Sequence, residues 1–347
     1  MLYFNNDYNE ICHPEVLKKL TDSASVQNPG YGTDSSCAKA AALIREKCDA
    51  PNAAVHFLVG GTQTNLTVIA ASLRPHQGVI AADSGHINVH ETGAIEATGH
   101  KVILVPSPDG KMQPEQIAKI VESQSLSMDA EHIVQPKMVY ISNPTEYGTM
   151  YSLAELKTLS ALCKERGLLL YVDGARMGYG LAAKGNDITL PDYAKLCDAF
   201  YIGGTKVGAM FGECVVIPNP AIAEDFRYLI KQRGGMLAKG WLLGLQFETL
   251  FEDDLYMRIS AHADKLADQI RQTLTSLGCE LYLPGDTNQI FVTLPDKLLE
   301  ELGKSFTFAT WEKADFEHTV VRFCTSWATS QQNVNKLCSA LTELLSH

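Results

Sequence analysis

The sequence predicts an α/β protein, with a largely parallel sheet in a large N-terminal part and a smaller α/β domain at the C-terminus. Three observations carry that expectation. Between residues 51 and 201, short apolar runs rich in β-branched residues alternate with longer helix-like stretches, the pattern of βα units on a buried parallel sheet. After the run Val215-Val216-Ile217 the composition turns helical. Beyond that, two strand-like runs at 289–294 and 319–324 precede a final helical stretch near 333–345. A chain of 347 residues has room for about two domains, and we place the division at 1–245 and 246–347.

In chain order the candidate strands are 54–58, 78–82, 101–105, 138–142, 168–173 and 199–203, separated by helices over 64–73, 114–123 and 152–166. The last of these helices has clear ends. Ser152 is followed three residues later by Glu155, a capping-box pair, and Arg166-Gly167 supplies the left-handed stop. The stretch 237–277 carries the acidic pair Asp253-Asp254 and then apolar residues at helical spacing, which predicts one long helix, or two, leaving the large part. Neither an internal repeat nor a low-complexity linker is visible.

Composition narrows the function. The chain is 46% hydrophobic and 20% charged, with 29 Lys+Arg against 40 Asp+Glu and a formal charge of −11. A polyanion would bind against that charge, so neither nucleic acid nor a membrane is an expected partner. The nine cysteines are odd in number and scattered without CxxC spacing, which fits reduced thiols in a cytoplasmic protein and gives no metal site. The N-terminus lacks the basic and apolar regions of an export signal, and no segment reaches the ~18 to 20 apolar residues of a membrane span.

Three constellations can carry chemistry. The apolar strand Tyr171-Val-Asp173 ends in an acid followed by Gly-Ala-Arg176, and ligands of open α/β sheets bind outside the carboxyl ends of strands. Alone, Asp173-Gly is equally the start of a turn. Tyr201-Ile-Gly203-Gly-Thr205-Lys206-Val-Gly208 runs a second strand into glycines around one lysine. Small neighbours let a bulky ligand approach, and a partly desolvated lysine has a lowered pKa and forms imines with carbonyls, although most lysines are simply solvated. Val59-Gly60-Gly61-Thr62-Gln63-Thr64-Asn65 is a strand, a glycine pair and a helix start, where free N–H groups can cradle a phosphate or merely make a turn. It matches neither GxGxxG nor GxxxxGK[ST]. Together, a phosphate cradle, a strand-end acid and an imine-forming lysine are what pyridoxal 5'-phosphate requires.

These residues also carry a resemblance. With Asn6-Asp7, His13-Pro14, Tyr31-Gly-Thr-Asp34, Ser84-Gly-His86, Glu91, Thr145-Glu-Tyr-Gly-Thr149, Lys231-Gln-Arg233-Gly-Gly235 and Asp253-Asp254-Leu255, the chain resembles the β-eliminating lyase and threonine aldolase superfamily of fold type I pyridoxal-phosphate enzymes. The low-specificity L-threonine aldolases are the branch it is most similar to. The resemblance implies an aminotransferase-like fold, a large domain with a mainly parallel seven-stranded sheet plus a small C-terminal α/β domain. It makes Lys206 the imine-forming lysine, Asp173 the partner of the pyridine nitrogen and His86 the imidazole stacked on the cofactor ring. Gly60, Gly61 and Thr62 then hold the phosphate, with Arg233 reaching it, from Lys231-Gln-Arg233, across a subunit interface of a homodimer or homotetramer. Arg176, Arg322 and Asn6 bind the substrate carboxylate.

The implied reaction is retro-aldol cleavage of the small-molecule amino acids L-threonine and L-allo-threonine to glycine and acetaldehyde. β-Elimination, transamination or decarboxylation at the same site, or a non-catalytic small-molecule-binding protein, are the alternatives. One departure bears on mechanism. Another branch of threonine aldolases has Asn-Thr-His-Asn where this chain reads Asn143-Pro-Thr-Glu-Tyr147, so a second histidine near the β-hydroxyl is absent and His86 is left as the expected base.

Overall fold

The computed structural model describes residues 1–345; residues 346 and 347, the last two of the predicted C-terminal part, lie outside the described residues. Counting the strands of the two larger sheets in chain order, β1 is Ala54–Leu58, β2 Gln77–Ala82, β3 Val102–Val105, β4 Gln135–Ser142, β5 Leu169–Asp173, β6 Ala199–Gly203 and β7 Glu213–Ile217. These seven form one sheet in the order β1-β7-β6-β5-β4-β2-β3. Every neighbouring pair is parallel except those of β7, which runs antiparallel to both β1 and β6. The alternation of runs predicts six of these strands and a largely parallel sheet; the seventh, β7, completes the mainly parallel seven-stranded sheet that the resemblance implies.

Its strands alternate sides with the period of two that a pleated strand imposes. Val79, Ala81, Tyr140, Tyr171 and Tyr201 face one apolar cluster, closed by helices Gly61–Ser72 and Phe226–Gln232. Ile80, Ala82, Val139, Val172 and Phe200 face the other, under helices Ser35–Lys47, Leu153–Arg166 and Trp241–Phe251. Because both faces are covered, the strands read in sequence as continuous apolar runs. The predicted cap is present: Ser152 Oγ accepts from Glu155 N–H at 3.3 Å, Glu155 accepts from Ser152 N–H at 2.7 Å, and Gly167 closes the helix with φ of 65°.

The stretch 237–277 is two helices, Trp241–Phe251 and Leu255–Ser276. They are separated at Asp253 and Asp254, whose φ values of 49° and 58° lie in the left-handed region, where Asp is better tolerated than most residues. The second helix packs under the small sheet of β8 (Gln289–Pro295), β9 (Ala309–Lys313) and β10 (His318–Cys324), ordered β9-β10-β8 and antiparallel. The start of the chain belongs to this layer. Leu2–Tyr3 pairs in parallel with Phe306–Thr307, and Phe4 is buried in the core of Leu266, Ile270 and Phe323. All nine cysteines are unpaired thiols, and among the described residues no helix is long and apolar enough to cross a membrane.

One buried group works against stability. Asp264, on the second helix, is 7% exposed, and among the described residues neither carboxyl oxygen has a hydrogen-bond partner. Burial pushes its pKa up to about 9 despite Arg271, so the folded protein holds a proton there that the unfolded chain releases near 3.8. For an acid raised in this way, the folded state is favoured fully below the unfolded value and loses that advantage as pH climbs through the folded one. Asp264→Asn should therefore stabilise the protein by roughly 4 kcal/mol at neutral pH, at 1.36 kcal/mol per unit. Urea unfolding of both forms at pH 5 and pH 8 checks it; a gain that does not grow with pH contradicts it.

Candidate active site

Strands β1, β2, β4, β5 and β6 all end at one edge of the sheet, and antiparallel β7 begins there, Glu213 pairing with both Leu58 and Gly203. Residues just beyond these ends line a cavity of about 1040 Å³, roofed from strands β9 and β10 of the small sheet by Thr310, Trp311 and Arg322. Lys206, Asp173, His86, Arg176, Gly60, Gly61 and Thr62 all line it.

Asp173, the last residue of β5, is 3% exposed and is held by four donors. Tyr140 hydroxyl (2.7 Å) and Asn65 Nδ2 (3.0 Å) reach Oδ2; Tyr201 hydroxyl (2.5 Å) and Ala175 N–H (3.0 Å) reach Oδ1. Burial alone would raise its pKa, but the charge of His86 and the bonds from Tyr201, Tyr140 and Asn65 outweigh it, so Asp173 stays below the ordinary carboxylate value. It is an ionised acid facing the cavity. Asn65 also donates to Glu91 (2.7 Å) and accepts from Tyr171 hydroxyl (2.8 Å), and Glu91 in turn holds His86 Nδ1 at 2.8 Å. One buried network thus fixes both the acid and the imidazole.

Lys206 stands three residues past β6, half-buried, and among the described residues its ammonium makes no hydrogen bond or ion pair. Burial and then the Arg176 charge lower its pKa, with Asp7, Asp173 and Glu213 opposing. The glycines before it serve the chain's own packing: a Cβ on Gly203 would lie 2.3 Å from Ala175 O, and one on Gly174 2.0 Å from Tyr201 O. They let the ends of β5 and β6 cross closely and carry Asp173 and Lys206 to one place.

The glycine pair after β1 behaves differently. The helix begins at Gly61, three residues before the predicted start, and the N–H groups of Gly61, Thr62 and Gln63 have no partner among the described residues. A Cβ on Gly61 would come within 3.0 Å of the Tyr201 hydroxyl, whereas one on Gly60 would meet nothing within 4 Å. Gly60 is extended, with φ of −176°, so neither strain nor a neighbour demands glycine there. The open space before a 12-residue helix with unpaired N–H groups is the size and polarity of an anion cradle.

Other predicted residues are placed otherwise. Arg176 reaches the cavity with one side of its fork already engaged: Nε and Nη2 donate to Asp7 at 2.7 and 3.0 Å, leaving Nη1 and the second N–H of Nη2. Asp7 is fully buried and also accepts from Asn288 (2.9 Å). Burial pushes it up, but Arg176 and Lys206 bring it down to about 2. Its contribution is present above 3.8 and is lost as pH falls toward about 2. Asp7→Asn, which strands the buried Arg176 charge, should cost about 3–5 kcal/mol in urea unfolding at pH 7, with the gap narrowing in acid. An unchanged midpoint contradicts it.

Arg322 donates to Gln289 Oε1 (3.0 Å) and Asn5 O (3.1 Å), while its buried Nε has no partner among the described residues. Asn6 does not line the cavity; its Oδ1 accepts from Tyr8 N–H at 2.9 Å. Arg233 does not line it either, although its carbonyl accepts from Gln63 (3.3 Å) in the first turn of the cradle helix, and its Nε is buried without a partner.

Residues 13–297 match the family model for the beta-eliminating lyases. The chain belongs to the beta-eliminating lyase family. A low-specificity L-threonine aldolase of a Pseudomonas strain is 30% identical over 99% of this chain and 98% of its own length, and one from Pseudomonas aeruginosa is 30% identical over 96% and 95%. Among solved structures, a threonine aldolase of Leishmania major superposes with a TM-score of 0.97 at 46% identity, covering 99% of this chain and all of that one. An aspartate aminotransferase of Thermus thermophilus, only 15% identical, superposes at 0.73 over 99% of this chain and 91% of its own. The fold is the aminotransferase-like fold type I.

Within this lyase site several contributors are ones the sequence did not announce. Asn65, Tyr140 and Tyr201 read as helix and strand interior, and only the pleat shows their polar ends converging on Asp173. Trp311 comes from the unpredicted strand β9 and faces the Arg322 guanidinium at 5.9 Å. Glu213 is buried, accepts from Gly204 N–H at 2.9 Å, and is pushed up by burial to about 7. An acid opening an apolar strand is an available signal for it.

Proposed function

We propose that this protein binds pyridoxal 5'-phosphate in the cavity and cleaves L-threonine and L-allo-threonine to glycine and acetaldehyde. The observation that carries the reading is that an unpaired lysine, a fully bonded carboxylate and an open helix N-terminus face one cavity. The names of the Pseudomonas and Leishmania relatives support the substrate.

Gly60, Gly61 and Thr62 would hold the phosphate, Asp173 the protonated ring nitrogen, and Lys206 the aldehyde carbon. When bound, the cofactor supplies an electron-withdrawing ring that accepts the electron pair of a bond broken at Cα. Lys206, with its lowered pKa, holds more neutral amine, the nucleophilic form, than a solvated lysine does. Asp173, kept ionised by its donors, holds a proton on the ring nitrogen through the reaction. His86, oriented by Glu91 at 2.8 Å, would stack on the ring and exclude water from that side. Arg322, with the Nη1 of Arg176, orients the substrate carboxylate and so selects which bond at Cα breaks.

The same reading makes 1–245 the cofactor-holding part and 246–347 the part that brings Arg322. It also makes the protein a cytoplasmic homodimer or homotetramer, in which the partnerless Nε of Arg233 and the half-exposed Tyr31, capped by Lys231 at 5.1 Å, meet a second subunit at the cofactor's phosphate end.

The deciding experiment measures acetaldehyde from both threonine diastereomers with and without added cofactor. Cofactor-dependent release is expected. Cofactor binding without release would move the reaction to another bond at Cα, and no binding would end the reading.

A further inference from the structure

We propose that Glu146, not His86, takes the proton from the substrate's β-hydroxyl; this rests on the aldolase reading above. Glu146 lies in the loop after β4 and lines the cavity beside Asp173 and His86. The loop is tied back on itself by Thr145 N–H to Thr149 O (2.8 Å) and Gly148 N–H to Thr145 O (2.9 Å). The carboxylate is aimed rather than free. Its Oε1 accepts from the backbone N–H of His86 (2.8 Å) and from Ser142 Oγ (2.7 Å), while Oε2 accepts nothing from another described residue. Among the described residues no lysine or arginine pairs with it, and it is 9% exposed.

A general base needs a fixed oxygen with an unused lone pair and a raised affinity for protons. Glu146 has both, because burial and the neighbouring Asp173 charge raise its pKa. The titratable groups around it are Asp173, His86 and the hydroxyls of Tyr140, Tyr147 and Tyr151, and none of them forms an ion pair with it. His86 is the poorer candidate. Its Nδ1 is committed to Glu91 at 2.8 Å, and stacking on the cofactor ring, the role the resemblance implies, would turn its face rather than a lone pair toward the bound substrate. In the step, the substrate O–H bond breaks and the proton passes to Glu146 Oε2. The O–H electron pair becomes the second C–O bond of acetaldehyde, and the Cα–Cβ pair stays at Cα until a proton arrives there.

Glu146→Gln keeps an oxygen for His86 N–H and Ser142 but cannot take a proton. Three readouts separate its roles: cofactor affinity of the cofactor-free protein by absorbance titration, exchange of the glycine Cα hydrogen in heavy water, and acetaldehyde release. The first two, which involve no β-hydroxyl, should stay within about threefold, while release falls by about 100-fold or more. Glu146→Asp, retaining an acid set back by one methylene, should release more than E146Q. Undiminished release by E146Q, parallel loss of all three readouts, or equal loss in E146D overturns the proposal. Binding of the cofactor without release by the unsubstituted protein instead overturns the aldolase reading and this proposal with it.

Discussion

Lys206→Ala is expected to lower acetaldehyde release by at least about 10³-fold, the scale of removing a covalent nucleophile, and to leave the fold untouched. The two halves of that expectation come from one observation. The Lys206 ammonium makes no hydrogen bond or ion pair among the described residues, so its removal breaks no polar contact there, while its backbone carbonyl, accepting from Tyr179 hydroxyl at 2.6 Å, is kept. Removing it also removes the charge that Glu213 faces, which lifts the Glu213 pKa above about 7 and leaves it protonated and neutral. The melting temperature should therefore stay put while the rate collapses. A variant that keeps a tenth of the rate would sink the assignment, and one that melts early would make Lys206 structural.

The second large effect is expected at Asp173. Asp173→Asn should lower kcat by about 100-fold or more and change KM by less than about threefold, because a group that steadies charge developing during the reaction acts on the transition state more than on bound substrate. This variant also has a structural cost. Tyr140, Tyr201 and the backbone of Ala175 donate to the carboxylate, and an amide must turn its own NH₂ toward some of these donors. A loss of about 1–3 kcal/mol is expected from each donor left unsatisfied. Steady-state kinetics with urea unfolding on the same preparation separates the two. A rise in KM at constant kcat would show that Asp173 only binds.

The sheet was legible because a buried parallel strand has a strong signature: both faces are covered, so nearly every residue is apolar, and the six runs between 54 and 203 stand out. Strand β9 was not. Its residues Ala-Thr-Trp-Glu-Lys lie at a sheet edge and alternate with charge, which leaves no apolar run to read. The same physics divides the site. Lys206, Asp173 and the Gly60-Gly61 turn were legible because each interrupts an apolar strand at its end, where polar residues are conspicuous. Tyr140 and Tyr201 were hidden because tyrosine is half apolar and fits a strand, so its hydroxyl becomes informative only when the register sets it beside Asp173. Arg176 was found but not its partner, since Asp7 lies 169 residues away and no local pattern links them.

The tie between the first residues and the last domain sets an order of events. Leu2 N–H bonds Ser305 O, Phe4 N–H bonds Thr307 O, and Cys324 N–H bonds Phe4 O, joining segments more than 300 residues apart. Closing a loop that long costs entropy before any contact repays it, so this junction forms late. Asp7 rides on the same stretch of chain, so Arg176 gains its counter-charge only when that stretch docks. On a ribosome the sheet can be complete while the guanidinium still lacks its counter-charge. The pocket acquires its final electrostatics only when the segments at 305–307 and 324 have captured residues 2–4 and brought Asp7 in beside them.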